Sequence, residues 1–293
     1  MLKAIQAELY KLFKNRTFKV LICVAVLLST LTVVMCSSVF EKILNDSLGN
    51  MSQDQKEVLM EQLTSMSESE AIVTPGQLGI QLQAKDMMNP TSIEVYHASF
   101  GSGVIEIIIG ILVGALIAKE YSQGTIKNFL AYGKRREEFY LAKFVSMVIA
   151  VTIILAVMTI LPTIVVTLMN GWGKAFEISQ LLGMIKTFVA SVIAGSAVAA
   201  LAMIIATLVK SNGATIGITV AIFIGIPTLA GFLYGIYPWF DRVYEVLPFY
   251  NSALATSIKA GNGDLLRSVI ISLVTIAISL FVGIKIFKSQ DIK

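Results

Sequence analysis

Residues 119–143 read KEYSQGTIKNFLAYGKRREEFYLAK and lie between two long apolar segments. Six of the 25 are basic: Lys119, Lys127, Lys134, Arg135, Arg136 and Lys143. Gly124 is free to adopt the left-handed conformation that ends a helix. Thr125 stands where an N-cap would begin another. Gly133 limits that second helix, 126–132, to about two turns. Glu137 and Glu138 then fall in the first turn of a further helix, where its dipole favours acids. The stretch is predicted as helix, stop, short cross-piece, stop, helix. A short cross-piece between two spans on a basic side has the shape of a docking element for a cytosolic protein. The same charges also suit an ordinary loop that only fixes topology, and the residues alone leave both readings open.

The surroundings of this stretch decide the class. The chain has 293 residues, of which 56% are apolar and only 14% charged. A soluble protein carries about a quarter charged residues, so the composition indicates an all-α polytopic membrane protein forming one transmembrane domain. Apolar runs at 20–40, 99–118, 144–168, 187–209, 214–237 and 268–287 predict six spans, each long enough for a hydrocarbon core of about 30 Å. Residues 1–19 form an amphipathic interfacial helix, with Leu2, Ile5, Leu9, Leu12 and Phe13 at helical spacing and Glu8 as its single acid. The 20–40 run exceeds the apolar core of a signal peptide, and bulky Met35 precedes Cys36 where a lipoprotein box needs a small residue, so an uncleaved anchor is expected. Cys23 and Cys36 are too far apart along one helix to pair.

Topology follows from charge. With six spans, the N-terminus, 119–143, the turn at Lys210 and the tail after 284 share one side and hold fifteen of the 23 lysines and arginines. That side is read as cytosolic, with both termini there. The 41–98 loop lies opposite, with nine acids against three bases. Within it, 53–66 is a candidate amphipathic helix, and Pro75-Gly76 and Asn89-Pro90 mark breaks. The 238–267 connection is polar and aromatic and falls on the outer side. Pro227 is a predicted kink or break in the fifth span.

Several chemistries are excluded. No GxxxxGK[ST] occurs, so the chain cannot cradle nucleotide phosphates by that mechanism. His97 is the only histidine, too few for an intramembrane zinc protease, and nothing orients it as a base beside Ser102. No enzymatic activity, metal, bound cofactor or nucleic-acid partner is expected. Glu106 is the only acid well inside a span, and its charge requires protein, water or a proton. It is either a residue of a substrate path or a structural hydrogen bond. Small residues recur every fourth position at Gly110, Gly114 and Ala118, at Ser191, Gly195 and Ala199, and at Gly213, Gly217, Ala221 and Gly225, which lets helices approach closely in lipid.

These residues resemble a family. The basic amphipathic start, Glu8-Leu9-Tyr10-Lys11-Leu12 with Arg16, is similar to that of ABC-2 type transporter permeases. So is the block Lys119-Glu120-Tyr121, Gly124-Thr125-Ile126, Leu130, Arg135/Arg136 and Lys143. In that family an acid, Gly-Thr, a leucine, an arginine and a lysine lead into the third span. Leu247-Pro248-Phe249 and Asn251-Ser252 are also similar. Many relatives carry a proline near 131–133, where this chain has Gly133. The acidic first loop and the length look most like the branch that handles bacitracin and lantibiotic peptides in Gram-positive bacteria.

The resemblance implies a permease subunit in the cell membrane, partnered by a second permease, identical or sister, and by a cytosolic ATPase that brings the ATP. It would expel an amphiphilic peptide or lipid-like compound for self-protection. Glu8, Lys11, Glu120, Gly124, Thr125, Ile126, Lys127, Leu130, Arg135 and Arg136 are the expected ATPase-coupling residues. The alternative is an accessory or sensor protein that binds a ligand through its acidic outer loop without transport.

Overall fold

The computed structural model describes residues 1–36, 72–84, 89–126, 135–173 and 175–290, with isolated positions at 46, 52, 55 and 58. The chain is helical there, and an isolated antiparallel bridge between Gly79 and Ser102 is its extended pairing among the described residues. Among the described residues, five helices are long and apolar enough to cross a membrane. These are α2 (Arg16–Met35), α5 (Arg136–Asn170), α6 (Ile178–Val209), α7 (Asn212–Gly231) and α10 (Asn262–Ser289). A sixth helical run, α4, covers 104–122 and contains a π-turn at Gly114–Ala118. The shorter helices among the described residues include α1 (Leu2–Lys14), α3 (Ser92–Ala98), α8 (Pro238–Tyr244) and α9 (Pro248–Thr256).

Boundaries depart from the sequence reading where a cap intervenes. The N-terminal helix stops at Lys14 rather than 19, because Asn15 is extended and its side chain accepts from the Thr17 and Phe18 amides at 2.8 and 3.3 Å. The second span starts at Val104 rather than 99, since Gly101 and Gly103 both take positive φ in the turn before it. Pro227 does not break α7. A π-turn at Ala221–Gly225 directly precedes it, so the helix continues past a residue with no N–H to donate. The 238–267 connection holds two helices, α8 and α9, each begun by a proline at its first turn. The proposed helix at 53–66 lies outside the described residues.

Helices α5 and α6 form the centre. α5 packs on α1, α2, α3, α4 and α10, and α6 packs on α4, α9 and α10. Their contact with α4 makes the main core, filled by Ile109, Leu112, Met147, Ile154, Leu155 and Met203. Glycines set the closest approaches. A Cβ on Gly114 would meet Asn212 at 2.5 Å and Ile216 at 2.8 Å, so the stripe on α4 seats α7. A Cβ on Gly195 would meet Val151 at 2.9 Å, so the stripe on α6 seats α5. The third stripe differs: Gly213, Gly217 and Gly225 have open space beside them.

The bundle has two distinct ends. At one, α1, the end of α4, the start of α5 and the end of α10 meet. At the other, α3, α8, α9 and the 72–84 segment form a cap.

Candidate functional site

At the first end, α1 turns an unexpected face inward. Its protein-facing stripe is Ala4, Glu8 and Leu12, so the lone acid is pressed into the body while Leu2 and Phe13 stay exposed. Glu8 is 2% exposed, and its carboxylate pairs with Lys143, itself 2% exposed. The Lys143 ammonium also reaches Glu120 at 2.8 Å and donates to the Leu116 carbonyl, inside the π-turn of α4, at 3.2 Å. Lys11 closes the set, 2.7 Å from Glu8 and 3.2 Å from Glu120. Burial lowers the Lys11 pKa, but its hydrogen bond to Glu8 and the charge of Glu120 outweigh that and hold it above the usual lysine range. Two acids and two bases thus join three helices in a neutral cluster. Charges this buried are tolerable because they are paired.

Gly124 and Thr125 fix the helix end that carries Glu120. Gly124 has φ +67°, and its amide donates to the Tyr121 carbonyl at 3.2 Å. The Thr125 amide donates to the Glu120 carbonyl at 3.2 Å, which completes a Schellman motif. Thr125 therefore closes the helix behind it, and its hydroxyl also points back to Glu120. Ile126 is buried in the main core. Lys127 and Leu130, and most of the 126–132 cross-piece, lie outside the described residues.

The two arginines part company. Arg135 is exposed at the N-cap of α5. Arg136 donates to the Phe287, Lys288 and Gln290 carbonyls at 3.1, 2.8 and 2.8 Å, placing a cation on the C-terminus of α10. Glu137 pairs with Lys288 on the same helix end. Arg136 is thus occupied within the chain.

At the cap end stands Glu106, in the first turn of α4 rather than deep in the span, yet only 7% exposed. Its Oε1 accepts from the Ser252 hydroxyl of α9 at 2.8 Å. Its Oε2 is buried with no hydrogen-bond partner among the described residues. The carboxylate lines a cleft of about 800 Å³, mouth included, between α4, α5, α6, α7 and α9. A second cleft of about 580 Å³ adjoins it and shares Phe100, Ser102 and Ala253 with it. The strap 72–84 lines both. It is tied down by the Gly79–Ser102 bridge, with amide bonds of 2.8 and 2.9 Å, and by Ser257 donating to the Ile72 carbonyl at 2.7 Å. His97 lines the second cleft, its Nδ1 2.9 Å from the Thr256 carbonyl. Burial takes the His97 pKa below the usual histidine range, against a smaller opposing pull from that carbonyl.

α9 owes its position to Asn251. This fully buried side chain donates to the Glu245 and Leu247 carbonyls, both at 2.8 Å, and the Asn251 backbone carbonyl accepts from the Ser268 hydroxyl at 2.6 Å. Phe249 packs on Phe223 of α7 with ring centres 5.2 Å apart.

The structure brings Glu8, Lys11 and Glu120 together and keeps Glu106 at the opposite end. Sequence reasoning left Lys143 and Ser252 out of the site. The signal for Lys143 was present: a lysine on the first turns of a span faces an acid on the inward stripe of α1. Among the described residues no group of three or more His, Cys, Asp and Glu could hold a metal. The family model described as "Protein of unknown function (DUF2705)" matches residues 58–293, and the chain belongs to that family. No curated protein matches the chain.

Proposed function

We propose that this DUF2705 chain is the permease subunit of an ATP-driven transporter that exports an amphiphilic peptide or lipid-like compound across a cell membrane. On this reading α4 is the second of six spans, both termini are cytosolic, and the ATPase is a separate protein. Fifteen of the 23 lysines and arginines belong to the sequence segments assigned to the cytosol, as the positive-inside rule requires. The observation that carries the reading is the neutral cluster of Glu8, Lys11, Glu120 and Lys143. It ties the amphipathic helix and the segment leading into 127–134 to the two helices, α4 and α5, that line the Glu106 cleft. A push received by α1 or by the loop would reach the cleft through this junction. An ATPase with open and closed states would bias access by contacting the junction differently in each.

The second permease is the expected neighbour of α7, whose Gly213, Gly217 and Ala221 are exposed and unfilled by the chain itself. The family resemblance assigns the transporter to a Gram-positive bacterium and to self-protection against peptide antibiotics. The test is purification of the tagged chain from its native membrane, with its partners identified by mass. An ATPase bearing a Walker A motif, at about equal stoichiometry, is the expected result. Its absence from an otherwise intact preparation would favour an accessory protein that binds a ligand through its outer loop.

A further inference from the structure

The Glu106 cleft has a chemical bias that narrows what it binds. Its lining holds one carboxylate, Glu106, and no lysine, arginine or histidine. Phe100, Phe223, Tyr244 and Phe249 supply aromatic surface, and Leu155 and Ala194 aliphatic surface. The polar groups beside the acid are hydroxyls and an amide, and three of the hydroxyls are already spent: Ser252 donates to Glu106, Ser191 to the Thr187 carbonyl at 2.8 Å and Thr256 to the Ala253 carbonyl at 2.9 Å. Glu106 lines the cleft while 93% shielded, and its Oε2 is buried with no hydrogen-bond partner among the described residues. A buried acceptor without a donor is costly, and a buried anion without a cation more so.

The composition excludes other ligand classes. An anion would meet no positive side chain. Calcium takes six to eight oxygen ligands and magnesium near-octahedral geometry, whereas a single carboxylate is present. An organic ammonium fits on both counts: its N–H groups satisfy the free oxygen and its charge the anion, while aromatic faces attract cations and tolerate an attached apolar body.

We propose that the cleft beneath the 72–84 strap is a binding site for an organic ammonium group borne on an apolar body, with Glu106 as its counter-ion. The ammonium enters beside Ser252 and donates to Oε2, and the hydrocarbon lies against Phe223 and Phe249. This names the head group carried by the substrate of the proposed path and so rests on that reading. Binding is measured on the isolated chain, so its failure is separable from failure to recruit an ATPase.

The experiment uses the full chain in phosphatidylcholine nanodiscs at pH 7.5, titrated with hexylamine, which is protonated there, and with 1-hexanol, its neutral counterpart. Saturable thermal stabilisation by hexylamine beyond that by hexanol is expected, with at least a tenfold loss of apparent affinity for the amine in Glu106→Gln and no change for the alcohol. Equal responses to amine and alcohol in the native chain, or an undiminished amine preference in Glu106→Gln, overturn the proposal. A readout that needs no variant is the rate at which a hydrophobic carbodiimide modifies Glu106, followed by mass. Hexylamine is expected to slow it several-fold and hexanol to leave it unchanged, and equal rates with both would overturn the assignment.

Discussion

Lys143 shows what a single residue does here. Its ammonium answers Glu8, Glu120 and the Leu116 carbonyl at once, so removing it leaves two carboxylates, that of Glu8 buried, to share Lys11 alone. Breaking such a pair costs about 3–5 kcal/mol. Lys143→Met should therefore lower the unfolding free energy by about that amount, and adding Glu8→Leu should recover most of the loss, measured as denaturation midpoints in a fixed detergent. A double variant no better than the single would remove Glu8 as the group being neutralised. His97 gives a pH signature at the other end. Its folded pKa lies below the unfolded value of about 6.5. The unfolded chain therefore binds the proton first as pH falls, and stability is complete above about pH 6.5 and declines below it. Thermal midpoints should drop between pH 6.5 and 5, and His97→Leu should flatten that decline. An unchanged acid limb in the variant would assign it to other groups.

At the level of elements, the joints between helices are set by small residues and caps. A Cβ on Gly283 of α10 would lie 2.5 Å from the Tyr140 Cζ and 2.9 Å from its Cε1 on α5. Overpacking of this kind costs about 1–3 kcal/mol. Gly283→Ala should lower stability by that order, and Tyr140→Leu in the same chain should restore it, as read by thermal unfolding. Gly217→Ala, on the open face of α7, should leave the isolated chain unchanged. Caps also explain where the sequence was legible. Gly124 was readable as a helix end because only glycine takes φ +67° without cost, and the structure uses it so. Thr125 has a second role that the sequence did not show: its amide is drawn back to Glu120, while Ile126 directly after it is helical again. Asn15 was equally visible as a cap, yet the apolar periodicity running through it masked the break between α1 and α2. Helices α8 and α9 were missed because each is under three turns and its composition is mixed, so periodicity had nothing to register.

For the whole molecule, the bundle places a charged junction at one end and an acid-bearing cleft at the other, joined by α4 and α5. The apolar runs gave away the membrane helices, because a span must be long and uncharged. The contacts across the chain were hidden, because Glu8 and Lys143 are 135 positions apart and no local pattern links them. Arg136 illustrates the consequence: the sequence showed it only as one of a row of bases, and its contacts with the end of α10 come from 151 or more positions away. Charge reversal at Arg135, which is exposed, should weaken ATPase co-purification while the free chain keeps its stability. Reversal at Arg136 should lower stability in the absence of any ATPase. Equal thermal stability of the two variants would contradict this division. The central claim is that a separate ATPase, contacting the junction differently when it holds ATP, changes access to the cleft. It is tested most directly by placing a single cysteine at Ala253, which lines both clefts, in a chain whose Cys23 and Cys36 are serine, and labelling it from outside in vesicles carrying the purified complex with its ATPase. The account predicts a labelling rate that changes several-fold on adding ATP and loses that dependence in Lys143→Met; a rate indifferent to ATP in an intact, ATP-hydrolysing complex would contradict it.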